Sequence, residues 1–334
     1  MVCIVAELSA NHNGSLQNAK DTMYMAKEAG ADAFKLQTYT PDTITINSDK
    51  SYFQINQGTI WDGTTLYKLY QRAYTPYEWH EELFDYAKQI GITIFSTPFD
   101  KTAVELLEKL NTPFYKIASY EINDIPLIRL CAKTKKPIIM ATGVACIEDI
   151  SKAVNTCRSE GNNDITLLKC TSEYPTAYEE VNLKTMANMK ETFGVKVGIS
   201  DHTESNAVSI AAVALGAEMI ERHVILDKSI GGPDASFSLD KAAFTALVRD
   251  VRAVEKALGT VTYELTEKQK KSREHSRSLF VVKDMKKGQT ITEEFVRSIR
   301  PAFGMHTEYL DDIIGKKVNC DLEKGTPMEW RFIE

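Results

Sequence analysis

Several features are missing from this sequence, and each absence narrows its reading. No apolar run approaches the ~20 residues needed to span a bilayer. The opening apolar run stops at Glu7, too short for the core of a secretory signal. Basic residues are outnumbered, 40 Lys and Arg against 46 Asp and Glu, for a formal net charge of −6. This leaves no broad cationic surface for nucleic acid, so an anionic ligand must be held by a few local cations. The six cysteines, at 3, 131, 146, 157, 170 and 320, show neither C-x-x-C nor zinc-ribbon spacing. Without an export signal they read as reduced thiols of a cytoplasmic protein; Cys170, at a strand end, reads as a small buried filler, with a reactive thiol as the alternative. No G-x-G-x-x-G follows the first strand-like run, which argues against a dinucleotide site.

What is present is a repeating pattern. The 334 residues are 43% hydrophobic and 26% charged, enough for one ~250-residue barrel and a small module. Eight short apolar runs follow one another: CIVAEL, AFKLQTY, TIFSTPF, FYKIASYE, PIIMATG, TLLKCTS, KVGISDH and MIERHV. Helix-length segments of 3.6-residue periodicity lie between them, among them 18–30 (stopped by Gly30), 103–111 and 206–216. The alternation predicts parallel βαβ units, and eight units predict an α/β fold of the (β/α)8 TIM-barrel type. An open doubly wound sheet is the alternative.

Barrel sites lie at the C-terminal ends of the strands. Each run here ends in polar residues: Glu7; Lys35 with Gln37; Thr97; Lys116 with Ser119 and Glu121; Thr142; Thr171 with Ser172; Ser200 with His202; and His223. His202 and His223 end neighbouring strands, which lie ~4.8 Å apart. Two imidazoles so placed can share one divalent metal ion, with oxygen ligands suiting Mn²⁺, Mg²⁺ or Co²⁺. Lys35 and Lys116, among Thr97, Ser119, Ser172 and Ser200, read as a cradle for phosphate and carboxylate, or as a Schiff-base former. A plainer reading pairs one lysine with Glu7 or Glu121. Those two carboxylates are otherwise candidate general bases or sugar-hydroxyl acceptors. His12, in SANHNGS, is within reach of a substrate; His80 reads as a helix-surface residue; His275 and His306 sit in polar surroundings. The turn GGPDASFS can present Asp234 to the same mouth, a plain surface turn being the alternative.

The barrel is assigned to 1–260, an exposed linker or connecting helix to 261–277, and a small β-rich module to 278–334. VKDMKKGQTI and VNCDLEKGTPM repeat D-x-x-K-G, with Asp284 over Asp321 and Gly288 over Gly325. Each copy reads as strand, glycine turn, strand, so two hairpins related by pseudo-symmetry are expected. A module this small buries little core and needs a surface to dock on. Arg300 precedes Pro301, which favours extended backbone.

Taken together, AELSANHNGSL, FKLQTYTPDT, STPFD, YKIASYE, CTSEYPT, GISDHT, ERHVILDKSIGGPD and the IRP-containing C-terminal module closely resemble the sialic acid synthases. Those enzymes condense phosphoenolpyruvate with an amino-sugar aldehyde. GTIWDGTTLYKLYQRAYTPYEWH and SIGGPDASFS are most similar to the pseudaminic acid branch of that family, whose sugar is 2,4-diacetamido-2,4,6-trideoxy-L-altrose. The resemblance implies a barrel followed by an antifreeze-like (SAF) domain, and a homodimer in which that domain caps the partner's barrel. It implies a divalent ion on His202 and His223, and phosphoenolpyruvate on Lys35, Thr97, Lys116, Ser119 and Ser200. It puts Glu7, Tyr174 and Asp234 near the sugar and metal. It gives Glu121 a catalytic role and makes Arg300 the sugar-binding arginine of the partner's cap. Two positions depart from the neuraminate enzymes: Ser172 stands for Asn, and Ala141 for a phosphate-contacting Ser. Thr142 or a water is the expected stand-in. The rival readings are an N-acetylneuraminate or legionaminate synthase, a Schiff-base aldolase using Lys35 or Lys116, and a non-catalytic carbohydrate-binding protein.

Overall fold

All eight apolar runs are strands: β1 (Cys3–Glu7), β2 (Ala33–Thr38), β3 (Thr93–Pro98), β4 (Tyr115–Ile117), β5 (Ile138–Ala141), β6 (Ile165–Cys170), β7 (Lys196–Ser200) and β8 (Met219–His223). In this computed structural model, which describes residues 1–56 and 58–334, they close in sequence order into one parallel barrel. Closure is made by β1, which pairs with β2 through Glu7↔Lys35 and with β8 through Glu7↔His223. An open doubly wound sheet is thereby excluded.

Most strand positions are buried on both faces, as expected where helices cover a parallel sheet. Outward residues such as Ile4, Ala6, Phe34 and Leu36 pack into the large core under the helices. Inward residues alternate with them. Val5, Ala33, Phe95, Ile139 and Leu168 fill the barrel centre, and the next inward residue up each strand is polar or small. Period two therefore delivers Glu7, Lys35 and Thr97 to one rim.

The eight covering helices are α1 (Leu16–Ala29), α2 (Tyr77–Ile90), α3 (Lys101–Lys109), α4 (Ile125–Lys133), α5 (Ile147–Ser159), α6 (Lys184–Phe193), α7 (Ala207–Ala214) and α8 (Lys241–Leu258). Their ends are set by local chemistry. The Ser15 hydroxyl accepts from Asn18 N at the start of α1, and Asp100, Asp124 and Asp240 cap α3, α4 and α8 in the same way. Gly30 ends α1 at φ 94°, a left-handed turn that side chains disfavour. Among the described residues no helix is long and apolar enough to cross a membrane.

The chain divides into two units, 1–259 and 260–334. In the second, Glu267–Arg273 is a short exposed helix, and β9 (Ser278–Val281) pairs antiparallel with β10 (Val296–Ile299). The D-x-x-K-G repeats do not fold back each on itself. They pair with each other: Met285 and Leu322 exchange backbone hydrogen bonds, Lys324 N donates to Asp284 and Lys287 N to Asp321. Gly288 N donates to Val318 O and Gly325 N to Val281 O. Every contact has its mate 37 residues on, so the pseudo-symmetry is real but each turn's outgoing leg lies on the other copy. The reason is core economy. Interlocking the copies puts Val281, Met285, Val318 and Leu322 into one shared cluster that neither could enclose alone.

Candidate active site

At the C-terminal ends of the strands is a cavity of about 460 Å³. Its floor is a buried quartet of charge. Lys35 Nζ lies 2.6 Å from Glu7 Oε2 and 3.6 Å from Glu221 Oε1; Lys116 Nζ donates to the same Glu221 oxygen at 3.0 Å. Ser200 Oγ adds a bond to that oxygen at 3.2 Å, and Lys35 donates to Thr97 Oγ1 at 3.2 Å. Gln37 Nε2 donates to both Glu7 Oε1 and Ser9 Oγ at 2.9 Å. Both lysines are thus paired, Lys35 with Glu7 and Lys116 with Glu221 rather than Glu121. Each ammonium has three donors, so neither is exhausted by its carboxylate.

The environment sorts these four groups. Burial pushes Glu7 up, against the pull of Lys35. Burial would also raise Glu221, but Lys116 and then Lys35 overcome it and hold the carboxyl at about 2. Burial pulls Lys35 down more than Glu221 and Glu7 raise it. For Lys116 burial is outweighed by Glu221 and Glu7, and the ammonium is reinforced. Buried ion pairs of this kind cost desolvation and contribute little to stability. Their cluster at a cavity floor points to ligand handling instead.

The two histidines stand beside the quartet, their ring centroids 5.2 Å apart. His202 Nδ1 lies 2.9 Å from Thr171 O. A proton held there leaves the lone pair on Nε2, the arrangement of a metal-ligating imidazole whose other nitrogen is fixed by a carbonyl. His223 Nδ1 is buried with no hydrogen-bond partner. Burial, then His202, Lys35 and Lys116, keep this ring well below the ordinary histidine range, hence neutral. Among the described residues no three His, Cys, Asp or Glu side chains are gathered as a metal cage. Two free imidazole nitrogens without a third protein ligand fit an ion with open positions and do not fit a closed structural zinc.

Glu121, in the turn after β4, also lines the cavity. Its Oε2 is buried and unpartnered, and burial lifts the carboxyl to about 7 despite Lys116. Asp234 is buried at the opposite side, its Oδ2 accepting from Ala10 N at 3.2 Å. Tyr174 lies 4.4 Å from the His202 ring, and Phe237 5.0 Å from that of His223. Cys170 lines the same cavity, its Sγ 3.9 Å from His202 Nδ1.

Of the residues singled out from sequence, Glu7, Lys35, Thr97, Lys116, Ser119, Glu121, Tyr174, Ser200, His202, His223 and Asp234 share this one cavity. Ser172 does not line it. Its buried, unpartnered Oγ crowds Gly143, where an added Cβ would sit 2.2 Å away. Thr142 is no stand-in for the missing hydroxyl at Ala141: its Oγ1 donates to Leu168 O and faces Met189. Arg300 is exposed in the second unit. His12 does not reach the cavity; it is buried edge-on to Trp79, 5.4 Å away. His80 is not on the surface but fully buried, its Nε2 bonded to Thr38 Oγ1 at 2.8 Å and its Nδ1 to Pro76 O at 3.0 Å.

Glu221, the hub of the quartet, was not singled out from sequence. Its signal was available: it precedes His223 by two residues on β8 and so faces the same way. Asp201 and Arg222 were missed too. They form a fully buried ion pair at 2.6 Å, each one residue before a histidine and tying the two histidine-bearing strand ends together.

A larger concavity of about 850 Å³ opens at the other end of the barrel. Among its charged residues Lys196 pairs with Asp164 and Arg252 with Glu255. That end of a barrel serves stability rather than chemistry.

Comparison with known proteins agrees with this geometry. The NeuB family model matches residues 22–263 and the SAF domain model residues 276–334. The chain is 49% identical to a pseudaminic acid synthase of Campylobacter jejuni, over 98% of this chain and 95% of that protein. It is 48% identical to a pseudaminic acid synthase of Helicobacter pylori, over 99% and 97%. The crystal structure of an N-acetylneuraminic acid (sialic acid) synthetase from Leptospira borgpetersenii superposes with a TM-score of 0.71 at 27% identity, covering 81% of this chain and 90% of that one.

Proposed function

The chain belongs to the NeuB family, and from that premise we propose that it is a transferase joining phosphoenolpyruvate to 2,4-diacetamido-2,4,6-trideoxy-L-altrose, giving pseudaminic acid and phosphate. The observation that carries the chemistry is the cavity floor, where two buried ammonium groups adjoin two imidazoles with free nitrogens. The choice of sugar rests on the identity to the two pseudaminic acid synthases.

Lys35 and Thr97 hold one anionic end of phosphoenolpyruvate, and Lys116, Ser119 and Ser200 the other. Positioning is their contribution: carbon 3 is brought to the aldehyde carbon already oriented. A new carbon–carbon bond forms, water adds at carbon 2, and the carbon–oxygen bond to phosphate breaks. Asp234, Tyr174 and Glu7 border the sugar. Glu121, poised near neutrality by burial, gives or takes the proton that these steps move. His202 and His223 would hold a divalent ion, Mn²⁺, Mg²⁺ or Co²⁺, whose Lewis acidity favours the aldehyde as electrophile.

The reading extends to a homodimer in which the partner's C-terminal unit covers the barrel mouth and delivers Arg300 to the sugar. Support comes from the loops around that mouth, where Ile46, Tyr52, Tyr120, Val144, Tyr178 and Ile230 are exposed. Six free cysteines suit the cytoplasm.

Phosphate release from phosphoenolpyruvate, with and without EDTA, across a panel of sugars tests the proposal. The panel needs the diacetamido-trideoxy altrose, N-acetylmannosamine and the legionaminic acid precursor. Release only with the altrose, abolished by EDTA and lost in His202→Ala, is expected. Release with another sugar moves the substrate; chelator-insensitive release removes the metal. Borohydride inactivation with a keto substrate would favour the Schiff-base aldolase.

A further inference from the structure

One side of the cavity is unlike its floor. Residues Ile44, Ile55, Trp61, Leu66 and Leu69, from the long segment between β2 and α2, turn the mouth apolar there. Trp61 is the keystone. Its indole N–H donates to Pro233 O at 3.0 Å, so its one polar group is satisfied and the rest of the ring is carbon. It stands edge-on to Tyr174 at 5.5 Å and to Phe237 at 6.5 Å. Those rings in turn lie 4.4 Å from His202 and 5.0 Å from His223. A single aromatic ring therefore separates Trp61 from each histidine.

This layout orders a substrate end to end. A sugar whose aldehyde is at the histidines lies along Tyr174 and Phe237, and the far end of its carbon chain meets Trp61. We infer that Trp61, with Ile55 and Leu66, is a specificity wall that selects aldoses ending in a methyl group over those ending in a hydroxymethyl group. The inference rests on the proposed reading only in placing the aldehyde at the histidines. A terminal hydroxyl against this wall gives up water without a partner, while a methyl gains by burial. An apolar pocket discriminates against an added hydroxyl by about 10²-fold.

The test uses two pairs of aldoses that differ only at carbon 6: 2,4-diacetamido-2,4,6-trideoxyaltrose with its 6-hydroxy counterpart, and 6-deoxy-N-acetylmannosamine with N-acetylmannosamine. For whichever pair turns over, the full-length protein is expected to favour the deoxy member by about 10²-fold in kcat/KM. Trp61→Gln and Leu66→Gln should each cut that preference roughly ten-fold through the KM of the deoxy sugar, with the KM for phosphoenolpyruvate unchanged. Trp61→Phe should keep most of it. Calorimetric binding of the same pairs must rank them alike. Equal handling of both members, a preference that survives both Gln variants, or no binding by either pair overturns the wall. Turnover of the mannosamine pair alone overturns the altrose assignment and leaves the wall to be judged on that pair.

Discussion

Glu121 is the residue whose environment makes the sharpest single-site prediction. Its carboxyl is raised by burial from 4.5 to about 7, so the folded state holds a proton that the unfolded chain has released. A raised carboxyl contributes its full stability below about pH 4.5 and loses it as pH climbs through 7, by up to about 3 kcal/mol. Gln mimics the protonated acid. Glu121→Gln should melt above the wild type at pH 8, with the gap shrinking at pH 5; an equal gap at both would contradict the burial account. The same substitution should remove an activity limb near pH 7. Glu7, Lys35, Thr97, Lys116, Ser200 and His223 were legible because strand alternation and a barrel's polarity collect them, whereas Asp234 came from the glycine turn after the last strand and Tyr174 only from the family resemblance. Glu221 was not, because it sits one inward position below the strand end. His80 was not, because its face depends on docking, although Leu83 and Ala87 three and seven residues on mark that face as buried.

At the scale of elements, strand packing leaves one place with no slack. Gly198 on β7 faces the barrel interior, where an added Cβ would come 2.3 Å from Met219 O and 2.9 Å from Leu168 Cδ2. The carbonyl belongs to the neighbouring strand and cannot swing aside. Gly198→Ala is predicted to cost about 3 kcal/mol by overpacking, read as a lower urea midpoint at constant m-value; an unchanged midpoint would mean the strands separate easily. Strands and helices were readable because period two and period 3.6 alternate along the chain. The C-terminal repeat was readable as a repeat but not as an interlock. Its hydrogen-bond partners lie 34 and 40 residues apart, and nothing local distinguishes a turn closing on its own copy from one closing on the other.

At the scale of the whole molecule, the proposal needs two chains for each site. Two variants make this visible: His202→Ala disables a barrel, Arg300→Ala disables a cap. If caps act on the partner's barrel, mixing and re-forming the two inactive homodimers creates heterodimers with one intact site. Activity should return to about a quarter of wild type, since half the dimers are mixed and each has one working site of two. No recovery, with heterodimers demonstrated by mass, would place Arg300 on its own barrel, and an Arg300→Ala homodimer that stays active would place it outside the site.

The central claim is that this cavity makes a carbon–carbon bond at the expense of a carbon–oxygen bond. Phosphoenolpyruvate labelled with ¹⁸O in the bridging position, incubated with the metal-loaded protein and the diacetamido-trideoxy altrose, tests it directly by mass spectrometry. The prediction is a nine-carbon acid together with phosphate that carries the label. Pyruvate that keeps the label, or no nine-carbon product, would contradict it.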